Sequence, residues 1–148
     1  YIFEFINLIP VTSTKSLMFQ GSTTSSYTNN IPQTTTYFYT NHAEDGTNGV
    51  IEYATFYDLA QSTNYQYIMP EISNAASASS CATLFLFSPG STTYVKQWYS
   101  RIQGKSDYPD TREWDMAGYI NTTSAITEAS FKMASGNFDG KIKMYGVA

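Results

Sequence analysis

Apolar and polar residues alternate one by one along most of this chain, and this period of two constrains its fold more than any other feature. Alternation places successive side chains on opposite faces of a β-strand, whereas an amphipathic helix needs a spacing of three and four. The opening segment 1–10 alternates in this way. So does 112–121, which places Trp114 and Ile120 on one face. The chain is therefore predicted to consist of strands.

Turn signals separate the strand segments at intervals of about 8 to 12 residues, the spacing of antiparallel sandwiches. We count eight to ten strands, divided by clusters of Gly, Asn, Asp, Ser and Pro such as 41–49, 88–91 and 135–140. A helical turn competes only at 58–61. The predicted fold class is all-β: an antiparallel two-sheet β-sandwich, and more specifically a jelly roll.

The composition agrees with a folded domain and excludes several functions. A chain of 148 residues is long enough to bury a core, and its 42% hydrophobic and 16% aromatic content excludes a disordered segment. Its net charge of −4 argues against a nucleic-acid partner, because phosphate binding needs clustered Lys and Arg. We expect a single β-sandwich domain over 1–148, preceded by an N-terminal segment that lies outside this numbering.

Cysteine usage and hydropathy narrow the classes further. No stretch approaches the ~18 consecutive apolar residues of a membrane span, so no membrane insertion is expected. The single Cys81 cannot form an intramolecular disulfide or a redox pair. It opens the apolar segment 81–87, which is typical of a central strand covered on both faces, and we predict an inert core residue. No cofactor motif is present, and none is predicted.

Few side chains in the sequence are candidates for catalysis. His42 is the sole histidine and lies in a Gly/Asn/Asp turn, which favours a solvated loop side chain over a general base. Four acidic residues within one segment could supply the paired carboxylates of a glycosidase, although a solvated strand face explains them as well; they are Asp107, Asp110, Glu113 and Asp115. The turn 44–49 offers oxygen ligands for Ca²⁺, but turn formation alone accounts for it. We predict a protein that is not an enzyme and holds no metal.

Tyrosine-rich loops are the remaining candidates for function. Tyrosine among Asn, Ser and Thr suits a binding surface, because it adds contact area at low entropic cost, and sugar rings stack on aromatic side chains. The alternative is that these tyrosines fill the sandwich core with their hydroxyl groups at its rim. The polar loops 22–30, 41–49 and 104–111 are the expected binding loops. The candidate binding residues are Tyr27, Tyr65, Tyr67, Tyr99 and Tyr108.

Four segments resemble a family of small virion proteins of environmental and marine tailed phages. They are 84–96 (LFLFSPGSTTYVK), 117–126 (AGYINTTSAI), the closing 135–146 (SGNFDGKIKMYG) and the opening strand 1–10. The resemblance runs along nearly the whole chain and contains no catalytic signature. It implies a virion component with a jelly-roll-like domain, of tail-fibre or capsid-decoration type.

The expected function is that of a non-enzymatic bacteriophage virion surface protein that binds host-surface glycan or a neighbouring virion protein, as a tail fibre or receptor-binding domain does. The alternative is a capsid decoration (cement) or head-fibre protein that stabilises the shell, and a glycan-degrading enzyme is the third. The expected partners are further copies of the chain, in a homotrimer or other symmetric oligomer, and other virion proteins. The expected location is the virion surface, after assembly in the host cytoplasm.

Overall fold

Two antiparallel sheets form the computed structural model, which describes residues 1–26 and 31–147. The described residues contain ten strands and one 3-10 turn, Thr55–Tyr57. The strands are β1 (Ile2–Pro10), β2 (Lys15–Ser22), β3 (Gln33–Ala43), β4 (Gly49–Tyr53), β5 (Gln66–Ile72), β6 (Ser80–Leu86), β7 (Lys96–Lys105), β8 (Asp110–Ile120), β9 (Glu128–Met133) and β10 (Phe138–Tyr145).

The strands are divided unequally between the sheets. The large sheet has seven strands in the order β10-β1-β6-β7-β8-β3-β4, and the small sheet has three in the order β5-β2-β9. The predicted all-β, antiparallel two-sheet sandwich is confirmed, with a strand count at the top of the predicted range. With ten strands divided seven and three, the sandwich is larger and less even than an eight-stranded jelly roll.

An aromatic cluster fills the centre of the core between the sheets. The ring of Phe19, on β2, packs edge-on against Trp98 of β7, with centroids 5.3 Å apart, and stacks on Phe131 of β9 at 5.4 Å. Phe5 of β1 meets Phe131 at 5.0 Å. These contacts join both sheets, and offset or edge-on aromatic pairs contribute about 0.5–1.5 kcal/mol beyond their buried area.

A buried amide network fastens the segment 54–65 to the sandwich. The Gln20 side-chain amide donates to the carbonyl oxygens of Thr63 and Ile31, at 3.2 and 3.3 Å. Its own side-chain oxygen accepts a hydrogen bond of 2.8 Å from Gln33. Both glutamines are fully buried. Because buried polar groups are costly unless they are paired, this network determines how the segment lies across the sheets.

The 3-10 turn lies within the same segment, just before the helical turn predicted at 58–61. Two hydrogen bonds between Thr35 and Leu59 hold it close to β3. Thr35 N–H donates to the Leu59 carbonyl at 2.9 Å, and Leu59 N–H donates to the Thr35 side-chain hydroxyl at 2.8 Å. Within the described ranges, no helix has the length and apolar character to cross a membrane.

The small sheet covers only the middle of the large one. The edge strands of the large sheet, β4 and β10, are therefore exposed. Every residue of β4 faces solvent, and so does every residue of β10 after Phe138. Large apolar side chains lie in these strands, including Ile51 and Met144. The large sheet thus ends on both sides in a strand whose outer edge pairs with no other described strand.

Two sequence predictions are corrected here. Cys81 is exposed, not a core residue. β6 does lie in the interior of the large sheet, but the small sheet covers only one of its faces, and Cys81 points to the other together with Thr83 and Phe85. The polar loops are also shorter than predicted, because strand pairing continues through residues of turn-like composition: Asn41 and His42 still pair with β4.

The amide network leads to a stability prediction. Replacing Gln20 by alanine leaves the buried carbonyl of Ile31, the partly buried carbonyl of Thr63 and the Gln33 amide without their partner. We expect the free energy of unfolding to fall by about 2–3 kcal/mol. Chemical denaturation measures this loss. Gln97→Ala, at an exposed position of β7, is the matched control and should change stability by less than about 0.5 kcal/mol. Equal effects of the two variants would contradict the role of the network.

Candidate ligand-binding site

A cavity of about 240 Å³ opens where β3 and β8 pass beside β5 and under the 3-10 turn. We call it the Arg112 pocket. Its walls are mostly aromatic, with one cation and one anion among them. The lining residues are Tyr39, Phe56, Tyr57, Pro70, Glu71, Tyr108, Arg112 and Trp114.

Strand alternation places three of these residues in the pocket: Arg112, Trp114 and Tyr39. β8 turns Asp110, Arg112 and Trp114 towards the interior, and its next neighbour β3 places Tyr39 directly beside Trp114. The remaining walls come from the 3-10 turn, from β5 and from the short connection 106–109 between β7 and β8. Four separate parts of the chain therefore converge on one side chain, Arg112.

Ion pairs hold the Arg112 guanidinium in place. Its Nε lies 2.9 Å from Asp110 Oδ2, and its Nη1 lies 3.2 Å from Glu71 Oε2. The buried Asp110 carboxylate also accepts hydrogen bonds from the Ser106 hydroxyl and, at 3.4 Å, from the Asn41 amide. Only 15% of the Arg112 side chain is exposed. A charge with so little water around it needs partners of this kind, and they fix its orientation.

Two tyrosine rings flank the guanidinium. Its central carbon lies 5.1 Å from the ring centroid of Tyr108 and 5.8 Å from that of Tyr39, within the range of cation–π contacts. Tyr108 itself is 57% exposed. One wall of the pocket is thus an exposed aromatic ring held by a charge beneath it.

A row of aromatic rings forms the opposite wall. Tyr57 packs on Phe56 with centroids 4.2 Å apart, on Tyr37 at 4.9 Å and on Tyr67 at 5.7 Å. Tyr37 is completely buried, whereas Phe56 is 71% exposed. The row runs from the core to solvent, and its outer end borders the pocket.

Glu71 has an unusual backbone. Its φ is +54°, in the left-handed region that favours glycine, and such residues cost of order 1–3 kcal/mol and are concentrated at functional sites. It lies where the pairing of β2 with β5 is irregular, and its N–H donates to the Ser16 hydroxyl at 3.2 Å. This conformation places the Glu71 carboxylate beside Arg112 with 42% of the side chain exposed.

Burial keeps the hydroxyl groups of Tyr57 and Tyr37 protonated. It raises the pKa of Tyr57 to about 12, and the negative charge of Glu71 adds to the effect. Burial and the neighbouring Tyr57 raise the pKa of Tyr37 further. The Tyr37 hydroxyl has no hydrogen-bond partner among residues 1–26 and 31–147.

The predicted tyrosines do not form one site. Tyr108 lines the Arg112 pocket, and Tyr67 adjoins it through Tyr57. Tyr65 is half-buried, donates to the Ser130 hydroxyl at 3.1 Å and lies 4.0 Å beneath the Lys132 ammonium. Tyr27 falls outside the described residues.

Tyr99 lies on the opposite side of the molecule. It stacks with Phe85 at 4.7 Å and contacts Phe87 at 5.8 Å on the uncovered face of the large sheet. The three side chains form an aromatic ladder on that face, which we call the outer ladder. The five candidate tyrosines are therefore distributed between the pocket, the small sheet and the outer ladder, with one of them undescribed.

The sequence reasoning missed Arg112, Glu71 and Phe56. A signal for Arg112 was present, because it alternates in phase with Trp114 and Met116 and so occupies an inward position of β8. A charged residue at such a position needs an oppositely charged partner and hydrogen bonds around it. No comparable signal marks Glu71, whose role depends on its backbone conformation.

The acidic segment is engaged in pairing. Glu113 and Asp115 lie 2.8 and 2.9 Å from the same Arg101 Nε on the outer face. Asp107 accepts a hydrogen bond from Ser13, and Asp110 belongs to the Arg112 pocket. These contacts supply a structural reason for all four carboxylates and lend no support to a catalytic pair.

His42 and the turn after it also have a simple explanation. His42 is exposed at the end of β3 and pairs with Gly49. In the turn, Asp45 Oδ1 accepts hydrogen bonds from the N–H and hydroxyl of Thr47, at 3.0 and 2.7 Å, as turn-forming aspartates do. In the described part of the chain, no three His, Cys, Asp or Glu residues are grouped to hold a metal ion.

The buried tyrosines make stability depend on alkaline pH. In the unfolded chain they ionise near the ordinary pKa of 10.0, but Tyr57 in the native chain ionises near 12. The unfolded state then binds fewer protons, so the free energy of unfolding should fall as pH rises from about 10 to 12. Tyr57→Phe should make that fall shallower, as measured by urea unfolding at several pH values.

Repeating the series in 1 M salt controls for repulsion between surface charges, which salt screens. An identical pH dependence in the wild type and Tyr57→Phe would contradict the assignment.

Comparison with protein-family models, with curated proteins and with solved structures finds no match for this chain. The assignment of the Arg112 pocket as the candidate site therefore depends on its geometry and chemistry.

Proposed function

We propose that this chain is a non-enzymatic bacteriophage virion surface protein whose sandwich binds host-surface glycan, as a tail fibre or receptor-binding domain does. The Arg112 pocket is the binding site in this proposal. Low charge, a rigid antiparallel scaffold and the resemblance of four segments to phage virion proteins support the virion context. The chemistry of the Arg112 pocket supports glycan as the ligand.

The observation that carries the proposal is the combination of exposed rings and fixed polar groups in one concave site. Phe56 and Tyr108 expose most of their ring surfaces at its rim. Glu71 and Arg112 lie between them, held by ion pairs. Binding sites commonly combine apolar walls with a few placed polar groups that fix the orientation of the ligand. Sugars present both an apolar ring face and hydroxyl groups, which match the two kinds of surface.

A second candidate function has its own observations. The outer ladder and the exposed strands β4 and β10 carry apolar side chains that remain exposed among the described residues. Exposed apolar surface of this kind is typical of protein contacts. It supports the alternative of a capsid decoration or head-fibre subunit, which would contact its neighbours through the large sheet. Symmetric association, as in a homotrimer, suits both candidates.

Alanine substitutions at the rim of the pocket test glycan binding. We expect Phe56→Ala and Tyr108→Ala each to weaken adsorption to host cells or to purified host polysaccharide at least tenfold, because stacking surface is lost. Their melting temperatures should stay within a few degrees of the wild type, since both rings are largely exposed. Tyr99→Ala removes a partly exposed ring, 43% accessible, from the opposite face and is the matched control. Binding that is unchanged in both pocket variants would contradict the proposal.

Particle location separates the two candidate functions. We expect immunogold electron microscopy with antibody to this domain to label the tail or the fibre tips. A label spread over the head would instead support the decoration protein. Capsid stability with and without the chain would then be the next measurement.

A further inference from the structure

We propose that the ligand of the Arg112 pocket is a single uncharged pyranose residue, selected over acidic sugars by the excess of negative charge around the site. This inference rests on the proposed glycan-binding function and specifies its substrate class. It is drawn from the size of the cavity, the charges that border it and the groups left free to bind.

The size of the cavity sets the length of the ligand. Its volume of about 240 Å³ lies below the ~300–1,000 Å³ of pockets that enclose drug-sized molecules. One sugar residue between Phe56 and Tyr108 fits that space, and the rest of a longer glycan would lie outside it. The pocket is therefore suited to a terminal or branching residue.

The charges around the pocket favour an uncharged sugar. Among residues 1–26 and 31–147, Arg112 is the only cation that lines it, and it is paired with both Asp110 and Glu71. A third carboxylate, Glu52, accepts a hydrogen bond of 2.8 Å from the hydroxyl of Tyr39. Asp110 and Glu52 contact lining residues without lining the cavity themselves. The single guanidinium is thus accompanied by three carboxylates, of which Glu71 borders the cavity directly. An acidic sugar would meet uncompensated repulsion in the pocket.

The groups left free are those that bind hydroxyls. Glu71 is the most exposed of the charged groups that line the pocket, and its carboxylate accepts hydrogen bonds from sugar hydroxyls. The Arg112 Nε and Nη1 are committed to carboxylates, while Nη2 has no partner among residues 1–26 and 31–147 and is left to donate. An acceptor and a donor lie side by side, as recognition of neighbouring hydroxyl groups requires.

Matched sugar pairs test this selectivity. The probes are the methyl glycosides of galactose and galacturonic acid and of glucose and glucuronic acid, together with lactose and sialyllactose, titrated calorimetrically against the intact chain. We expect a neutral sugar to bind and its acidic counterpart to bind roughly three- to tenfold more weakly, the factor that one unit charge contributes across about 6 Å of water-rich surroundings.

Two further measurements identify the origin of the selectivity. Glu71→Gln keeps the shape of the side chain and removes its charge. The ratio of the affinities for the neutral and the acidic sugar should therefore move towards one. High salt should move the same affinity ratio towards one in the wild type, because it screens the repulsion. This measurement does not depend on how well the variant folds.

The possible outcomes separate the inference from the function on which it rests. Tighter binding of an acidic sugar than of its neutral counterpart would overturn the inference and leave glycan binding intact. A ratio that neither salt nor Glu71→Gln changes would also overturn it. If no probe, and no polysaccharide purified from a susceptible host, binds the wild-type chain, the proposed function itself fails.

Discussion

The packing of a three-stranded sheet on a seven-stranded one is the constraint on which the other features of this chain depend. Where the sheets overlap, the Phe19 cluster fills the core. Where they do not, the large sheet needs other cover, and on the β3 side the segment 54–65 provides it through the Gln20 network. The Arg112 pocket lies at this boundary, between a dry core and solvent. An evenly matched pair of sheets would have left no such boundary.

The pocket is organised before any ligand arrives. Asp110 and Glu71 hold the guanidinium, and Tyr108 lies against it. The cost of burying these charges and of the left-handed backbone at Glu71 is met by the fold. Binding then requires little ordering of side chains, and preorganisation of this kind raises affinity without adding contacts.

The alternation of residues predicted the fold class because it reports which side chains share a face of a strand. It does not report which face another sheet covers, and for that reason the prediction for Cys81 was wrong while the inward position of Trp114 was right. Composition pointed to Tyr108, but Arg112 and Glu71 belong to the site only through contacts between distant segments and through one backbone angle. Those depend on tertiary packing.

The free edges of β4 and β10 set the symmetry of any assembly made by extending the large sheet. They are the two ends of one sheet and differ in sequence. Joining like edges produces a two-fold pair that stops at two copies. Joining unlike edges is directional, so each added copy offers the same edge again, and the array closes into a ring or continues as a filament according to the rotation between copies. A threefold ring through this sheet therefore requires β4 of one copy to meet β10 of the next.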